Sequence, residues 1–496
     1  MLLTDDLLLN YKRCSRRAFL NVHGNQAEKQ PEKDFRVKLK QESENHCQAI
    51  LEQFYPVYHQ PQTSQDDLGK RAQETEALMK QGVDCIYQGT LHYRNDENIN
   101  CFASPTLLVK QNIASQWAKW SYYPVSIQLG SRPKPEYKII SGFYGYILGK
   151  IQGLTPTTAT LILRYQNTYK VNLQIWIHRT LEVMGECLSM LTQKIEPEVF
   201  ISRQRCNLCQ WYGNCYGIAK SRRHLSLVPG ITPKRYEYLQ KKGISSLESL
   251  RDLSITEITP FIDPEIAINL QKQAQSILEN TPILKSKQIS KIPSAKIELY
   301  FDIEAEPNRN IDYLLGILLV DRSNNQQKYY PFLAETLSEE KSIWQNFLLF
   351  VNKYTKAPIF HYSNYEVETL KRLAKLYQTP ASIMEPLLLR LIDLHQKVLT
   401  SLILPTENYS LKSVANWLGF YWRNPFNGDQ LFDRSLISGD QCVCWYDQWL
   451  KTGDRYWLKC ILRYNEDDCL ATYHLKNWLD KYLQQTQIIF TESNKN

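Results

Sequence analysis

Residues 297–304, IELYFDIE, alternate with a period of two. Ile297, Leu299, Phe301 and Ile303 fall on one face of an extended strand, and Asp302 and Glu304 fall together on the other. Apolar runs at 106–109 and 124–129 predict two more strands, and the run at 314–320 predicts a buried one. Elsewhere the period lengthens to that of a helix. Ile177, Leu181, Met184, Leu188 and Leu191 recur at helical spacing, which predicts a helix over 173–191, and a longer helical pattern covers 455–483. From 297 onward the order is strand–strand–strand–helix–strand–helix and then more helix, as in an α/β or α+β domain. Between 220 and 280 the pattern breaks into short helical pieces at Pro229, Gly230, Pro233 and Gly243. Residues 281–296 are polar and basic with two prolines and read as a linker; 486–496 read as a frayed polar tail.

The chain therefore reads as an α/β multidomain protein. Its parts are a mixed helix–strand domain at 1–220, a small all-α segment at 221–280, the linker, an α/β domain at 297–485, and the tail. A hydrophobic content of 43% with 22% charged residues excludes wholesale disorder. The formal charge of +8, from 59 Lys and Arg against 51 Asp and Glu, is compatible with a polyanionic partner without establishing one. The opening MLLTDDLLLN carries aspartates where a secretory leader carries basic charge, and no run of 18 apolar residues occurs. A cytoplasmic location without membrane contact is expected, and twelve cysteines in such a chain argue against a disulfide framework.

A bare Asp-x-Glu reads first as a strand end emerging into solvent. Two later segments alter that reading. A short strand at 357–362 leads into Asn364-Tyr365-Glu366 at a helix start, and RYNEDDCLATYHL places Tyr464 and Asp468 four residues apart on one helix face, with Asp467 turned away and expected to be exposed. Together DIE, NYE and Tyr-x3-Asp, over about 170 residues, resemble the DEDD exonuclease superfamily of RNase H-like folds, in its tyrosine branch. The resemblance covers 297–485. It implies that Asp302, Glu304, Glu366 and Asp468 hold two Mg²⁺ or Mn²⁺ ions, that Tyr464 orients the attacking water, and that digestion runs 3′→5′. Hard cations take oxygen ligands, which explains the residue types. The second motif of the family usually ends in Asp. Glu366 keeps the carboxylate but reaches one methylene further. Asp393 reads as a strand-end or second-layer carboxylate, Lys412 as a phosphate contact or a surface lysine, and His361 and Tyr362 as cleft lining or a packed strand end.

Cys206, Cys209 and Cys215 lie in the pattern C-x2-C-x5-C, which can bind zinc or an iron–sulfur cluster given a fourth ligand; His224 could serve for zinc. Near the start, Tyr11-Lys12-Arg13-Cys14-Ser15-Arg16-Arg17-Ala18-Phe19 resembles the opening of iron–sulfur nucleases related to the RecB nuclease domain. That resemblance implies a [4Fe–4S] cluster on Cys14, Cys206, Cys209 and Cys215, with zinc as the other occupant. The remaining eight cysteines read as core or surface thiols. In the same family the PD-(D/E)XK acids and lysine would fall at Thr106, Ser126 and Gln128, and the following Gln-x3-Tyr at Ile140 and Tyr144. Only the tyrosine is present, with His46 and Glu76 as possible remnants of upstream motifs. Neutral side chains cannot replace Mg²⁺-binding carboxylates, so this domain is expected to keep its fold and cluster without cleaving. Lys110, Arg132 and Lys134 could still line a nucleic-acid groove, or be solvated surface cations.

Residues 225–250, LSLVPGITPKRYEYLQKKGISSLESL, resemble a helix–hairpin–helix segment, whose backbone N–H groups meet phosphates. Arg222, Arg223, Gly230, Lys234 and Arg235 are its expected nucleic-acid contacts. The whole arrangement is similar to a RecB-like nuclease family of bacteria. It implies a 3′–5′ exonuclease acting on DNA or RNA through the C-terminal site, with the first two domains as a binding scaffold. A non-catalytic nucleic-acid-binding scaffold and a RecB-type nuclease working through the N-terminal domain are the competing readings.

Overall fold

The computed structural model describes every residue except Glu97, 259–260, 286–290, 426–437 and 494–496; the side chains of Glu257 and 487–493 are likewise outside the description. The chain divides into two units, residues 1–218 and 219–496.

The first unit begins with β1 (Leu2–Thr4), α1 (Asp5–Arg13), α2 (Ser15–His23), α3 (Asp34–Phe54) and α4 (Leu68–Gln81). These are followed by β2 (Cys85–Tyr87), β3 (Leu91–Arg94), β4 (Asn100–Ala103), β5 (Leu107–Gln111) and β6 (Ser121–Ile127). Then come α5 (Pro135–Gln152), β7 (Thr158–Ile162), β8 (Thr168–Asn172), α6 (Leu173–Thr192), α7 (Arg203–Cys206) and α8 (Tyr212–Ser221), the last reaching into the second unit. Five strands form a sheet in the order β2-β5-β6-β7-β8. β5 pairs antiparallel with both β2 and β6, β7 lies parallel to β6, and β8 returns antiparallel beside β7. A parallel neighbour requires a crossover, and α5 provides it, starting with Pro135 in its first turn. Phe143, Ile147 and Leu148 of α5 pack with Met184 and Leu188 of α6, the helix expected from its apolar spacing. Asn172 caps α6 by accepting from the Ile175 N–H.

In the second unit α9 (Pro233–Lys241), α10 (Leu247–Arg251), α11 (Ile255–Ile258) and α12 (Pro264–Glu279) precede the strands. The segment read as a linker is not free of structure. Its β9 (Ile283–Leu284) pairs antiparallel with Leu402 and Ile403, while 286–290 lie outside the described residues. The main sheet is built from β10 (Ile297–Glu306), β11 (Ile311–Asp321), β12 (Gln326–Leu333), β13 (Ile359–His361) and β14 (Leu391–Asp393), in the order β12-β11-β10-β13-β14. The first three are antiparallel, and β13 and β14 add parallel strands. Between and after them run α13 (Glu340–Val351), α14 (Tyr365–Leu376), α15 (Ala381–Leu388), α16 (Leu394–Ser401), β15 (Leu402–Ile403), α17 (Leu411–Trp417), α18 (Gly439–Thr452) and α19 (Arg455–Ser493). Both sheet faces are covered, which is why β11 is apolar almost throughout and most of β10 is buried, its acids included. Leu299, Phe301 and Ile303 pack with Trp344, Phe347 and Trp445, and Tyr300 packs with Val414, Cys469 and Leu475 on the other side. The helix α19 continues to Ser493, so the tail expected from 486 is helical as far as it is described.

Candidate metal centre

Asp302 and Glu304 project from the same face of β10, at its centre in the sheet. Directly after Glu304 the register with β11 slips, from Glu304 opposite Leu314 to Ala305 opposite Asp312. A bulge of this kind bends the strand and re-aims its side chains. The helix α19 lies across that face and adds Asp468. Carboxylate oxygens of Asp302, Glu304 and Asp468 all come within 4.8 Å of one another. Glu304 and Asp468 are buried and Asp302 is partly exposed.

The groups that touch these carboxylates are neutral. Asn465 donates its amide to Asp302 Oδ2 at 2.6 Å, and its own Oδ1 accepts from the Tyr329 hydroxyl at 2.7 Å. The indole N–H of Trp422 donates to Asp468 Oδ1 at 2.8 Å. Tyr464, one turn before Asp468, also favours its ionised form. Among the described residues none of the three carboxylates forms an ion pair with Lys or Arg, although Lys412 lies near enough to favour the ionised form of Asp468. Burial therefore dominates. It raises Asp302 well above the ordinary carboxylate range, helped by Asp468, Glu304 and Glu366, and raises Glu304 with help from Asp468. Burial also lifts Asp468 to about 7, against the Trp422 hydrogen bond and the effect of Tyr464. Three crowded, mutually repelling hard-oxygen donors, two of them buried, fit a divalent cation, whose charge offsets both the repulsion and the desolvation.

Residues 299–480 match the RNase_H superfamily. The C-terminal part of the chain is thus an RNase H-like domain, of a class of nucleases that act on nucleic acid and commonly use divalent metal ions. The matched span holds Asp302, Glu304, Glu366, Tyr464 and Asp468. No curated protein matches the chain.

Other expected residues fall at varying distances from this centre. Glu366, in the first turn of α14, is buried, but its Oε2 accepts from the Ser363 hydroxyl at 2.7 Å and lies 3.6 Å from His361 Nδ1. It is not one of the three gathered carboxylates, though its charge acts on Asp302. His361 ends β13 and is buried, as is Tyr362, whose hydroxyl donates to the Tyr409 carbonyl. Asp393 ends β14 and caps α16 by accepting from the Gln396 N–H. Asp467 contradicts its expected exposure. It is buried at 1% and held by Arg423, whose backbone N–H and guanidinium both donate to it. Sequence spacing missed Asn465 and Trp422. The sequence clue to Asn465 is Gly316, a lone glycine within an apolar strand, which often marks a close approach. Gly316 sits opposite Asp302, and a Cβ there would overlap the Asn465 amide oxygen.

The four cysteines of the first unit also sit in one neighbourhood. Cys14 caps the start of α2, Cys206 ends α7, and the thiols of Cys14, Cys206, Cys209 and Cys215 act electrostatically on one another. The Ser202 N–H lies 3.3 Å from Cys206 Sγ. The backbone at Arg16 and Arg17 favours the thiolate of Cys14, and the Arg16 side chain that of Cys215. Burial raises the Cys14 and Cys215 thiols and takes Cys206 to about 11. His224 is otherwise occupied: its Nδ1 and Nε2 lie 2.8 Å from the hydroxyls of Ser226 and Tyr236. Cys85, Cys101, Cys187, Cys442, Cys444, Cys460 and Cys469 are buried, and Cys47 is half-buried.

In the first unit's sheet, the β5–β6 register sets Leu107 opposite Val125, so Thr106 and Ser126 are neighbours at the end of the ladder. Thr106 Oγ1 accepts from the Ile127 N–H at 3.2 Å. Tyr144 donates to Asp5 at 2.8 Å, His46 has its Nε2 buried, and Glu76 is half-buried in an ion pair with Lys80. Lys110 pairs with Asp84, while Arg132 and Lys134 are exposed. In the second unit Gly230 takes φ +89 at the turn before α9, a conformation glycine adopts without strain. Arg222, Arg223 and Lys234 are exposed, whereas Arg235 is partly buried and donates to the Gly230 carbonyl at 2.7 Å.

Proposed function

We propose that the protein is a metal-dependent 3′→5′ exonuclease that hydrolyses DNA or RNA through the C-terminal site. The observation that carries this reading is the gathering of Asp302, Glu304 and Asp468 inside the RNase H-like domain, with no ion pair to Lys or Arg among the described residues. Two Mg²⁺ or Mn²⁺ ions, when bound, would supply the charge that activates water and offsets the negative charge on the leaving oxygen. The three carboxylates would hold them, with Glu366 completing the set from the start of α14. Asn465 and Trp422 fix the directions of Asp302 and Asp468. The Tyr464 hydroxyl, one turn before Asp468, would orient the attacking water.

The first unit is read as a RecB-like scaffold that has lost cleavage. Supporting this are the three-stranded antiparallel run, the α5 crossover to a parallel strand, and neutral Thr106 and Ser126 at adjoining positions. A [4Fe–4S] cluster on Cys14, Cys206, Cys209 and Cys215 would close its two ends together. The Ser202 N–H donated to Cys206 Sγ suits such a cluster. A tetrahedral zinc would hold the sulfurs about 3.8 Å apart, whereas among the described residues no three of them come within 4.8 Å of one another. The turn at Gly230 with Arg222, Arg223 and Lys234 is read as a phosphate-binding hairpin; Arg235 braces the turn instead of facing outward.

The test is digestion of end-labelled single-stranded DNA and RNA by anaerobically purified protein with Mg²⁺ or Mn²⁺, beside Asp302→Ala. Laddering from the 3′ end that disappears in the variant is the expected result. Activity surviving the substitution, or cleavage starting internally, would sink the reading.

A further inference from the structure

The first unit carries a surface that neither the carboxylate site nor the cysteines use. Residues 137–181 contain no Asp or Glu, yet include Lys138, Lys150, Arg164, Lys170 and Arg179. This stretch builds α5, the β7–β8 hairpin and the first half of α6. β8 is the edge strand of its sheet. Its Val171 is buried, while Tyr169, on the same strand face, is 37% exposed. Lys138 Nζ stands 4.6 Å from the centre of the Tyr169 ring and 5.4 Å from that of Trp176. The Arg179 guanidinium lies 4.9 Å from the same Trp176 ring. Two cations and two aromatic rings thus interleave, with no carboxylate in the stretch to neutralise them. At the hairpin tip Tyr165 is 75% exposed, and both it and Gln166 adopt left-handed backbone, with φ of +62° and +61°. Residues with side chains rarely take this conformation, and here it carries a large ring out into solvent.

We propose that Tyr165, Tyr169 and Trp176, with Lys138 and Arg179, form a platform for single-stranded nucleic acid. Unpaired bases offer flat faces to aromatic rings, and their phosphates meet the interleaved cations. A duplex keeps its bases stacked inward and offers the rings no face. The inference rests on the reading that the chain handles nucleic acid, but not on where or whether it cleaves.

The experiment is fluorescence anisotropy of the full chain with labelled oligo(dT), oligo(U) and a duplex, without added divalent cation so that binding is separated from hydrolysis. Tyr165→Ala with Tyr169→Ala should weaken single-strand binding about 10- to 100-fold and leave duplex affinity and thermal midpoint in place. Tyr169→Phe, which keeps the ring, should bind like the parent. Lys138→Ala with Arg179→Ala should flatten the dependence of affinity on salt. Unchanged single-strand affinity in the tyrosine pair, or an equal loss for duplex and single strand, overturns the platform. Failure of the nuclease reading would appear separately, as cleavage persisting in Asp302→Ala.

Discussion

Gly316→Ala is the most discriminating perturbation of the carboxylate site, because it touches no charged group. Gly316 lies on β11 directly opposite Asp302. A methyl group there would overlap Asn465 Oδ1, and would come within 2.8 Å of its Cγ and 2.9 Å of the Tyr329 hydroxyl. None of these is the free end of a flexible chain. Asn465 is fully buried and held at both ends of its amide, by Asp302 at 2.6 Å and Tyr329 at 2.7 Å. Something must shift, and the amide has least room to do so without releasing Asp302. Overpacking of this kind costs about 1–3 kcal/mol, and the hydrogen bond to a charged carboxylate contributes about 1.5–3 kcal/mol. Loss of a group that orients a metal ligand typically lowers metal affinity or activity about 10- to 100-fold.

Two measurements separate these effects: urea unfolding, and the Mn²⁺ concentration giving half-maximal hydrolysis. Gly316→Ala should be destabilised by about 2.5–6 kcal/mol and need roughly tenfold more Mn²⁺. Asn465→Ala removes the amide without a clash, so the methyl group of Gly316→Ala then has space. The double variant should accordingly be more stable than the sum of the two single losses predicts, by about 1–3 kcal/mol. Strict additivity, or a Gly316→Ala protein with unaltered stability and Mn²⁺ demand, would refute the claim that Gly316 exists to seat Asn465.

The remaining predictions concern separate parts of the chain. Cys14→Ser should remove the visible absorbance and most of the iron and acid-labile sulfide of anaerobically purified protein, whereas Cys101→Ser should not; a colourless parent with stoichiometric zinc would eliminate the cluster. Glu298 is buried, which pushes its carboxyl up, but bonds from Lys476, Tyr300 and Arg322 outweigh this and leave it below its ordinary value of 4.5. A lowered carboxyl contributes stability that is complete above pH 4.5 and disappears as the pH falls through the folded value. Glu298→Gln should therefore lower stability by about 3–5 kcal/mol at neutral pH while flattening the decline below pH 4.5, read from thermal midpoints across pH; an unchanged acid limb counts against the pair.

What the sequence displays and conceals follows from how local each cause is. The alternation in IELYFDIE and the Tyr464–Asp468 spacing are set by the geometry of one strand and one helix, so the carboxylate-bearing elements and their faces could be read directly. Asp467 could not. Its burial depends on Arg423, 44 residues earlier, folding back to donate to it. Nothing in the local pattern around YNEDD announces that partner. Asn465 was hidden for another reason: a neutral amide has no periodic signature, and its role appears only when Tyr329, Gly316 and Asp302 are seen on adjacent strands. Ile283 and Leu284 form too short an apolar pair to show a strand period, so a segment rich in proline and lysine passed for a linker although it pairs with Leu402 and Ile403.

β10 and α19 meet along two polar layers, and the contrast between them argues that the carboxylate cluster serves a ligand. Glu298 and Asp302 are four residues apart on one strand face, about 13 Å. Lys476 and Asp468 are eight apart on one helix, about 12 Å. The two rises agree, so each strand carboxylate has a helix residue beside it. At the first layer that residue is Lys476, 2.8 Å from Glu298, and Arg322 adds a second positive charge. At the other it is Asp468, another carboxylate, and among the described residues the groups hydrogen-bonded to Asp302 and Asp468 include an amide and an indole but no Lys or Arg. The same two elements therefore neutralise one buried acid and leave three others crowded. Crowding of this sort destabilises the metal-free fold, and bound metal should reverse it, by about 2.7 kcal/mol at a hundredfold excess over Kd. Asp302→Asn keeps an oxygen for the Asn465 amide but removes one charge. In EDTA it should melt above the parent, and Mn²⁺ should raise the parent's midpoint more than the variant's. A variant that melts below the parent in EDTA, with neither protein responding to Mn²⁺, would show that the cluster is at ease without a cation and is no metal site.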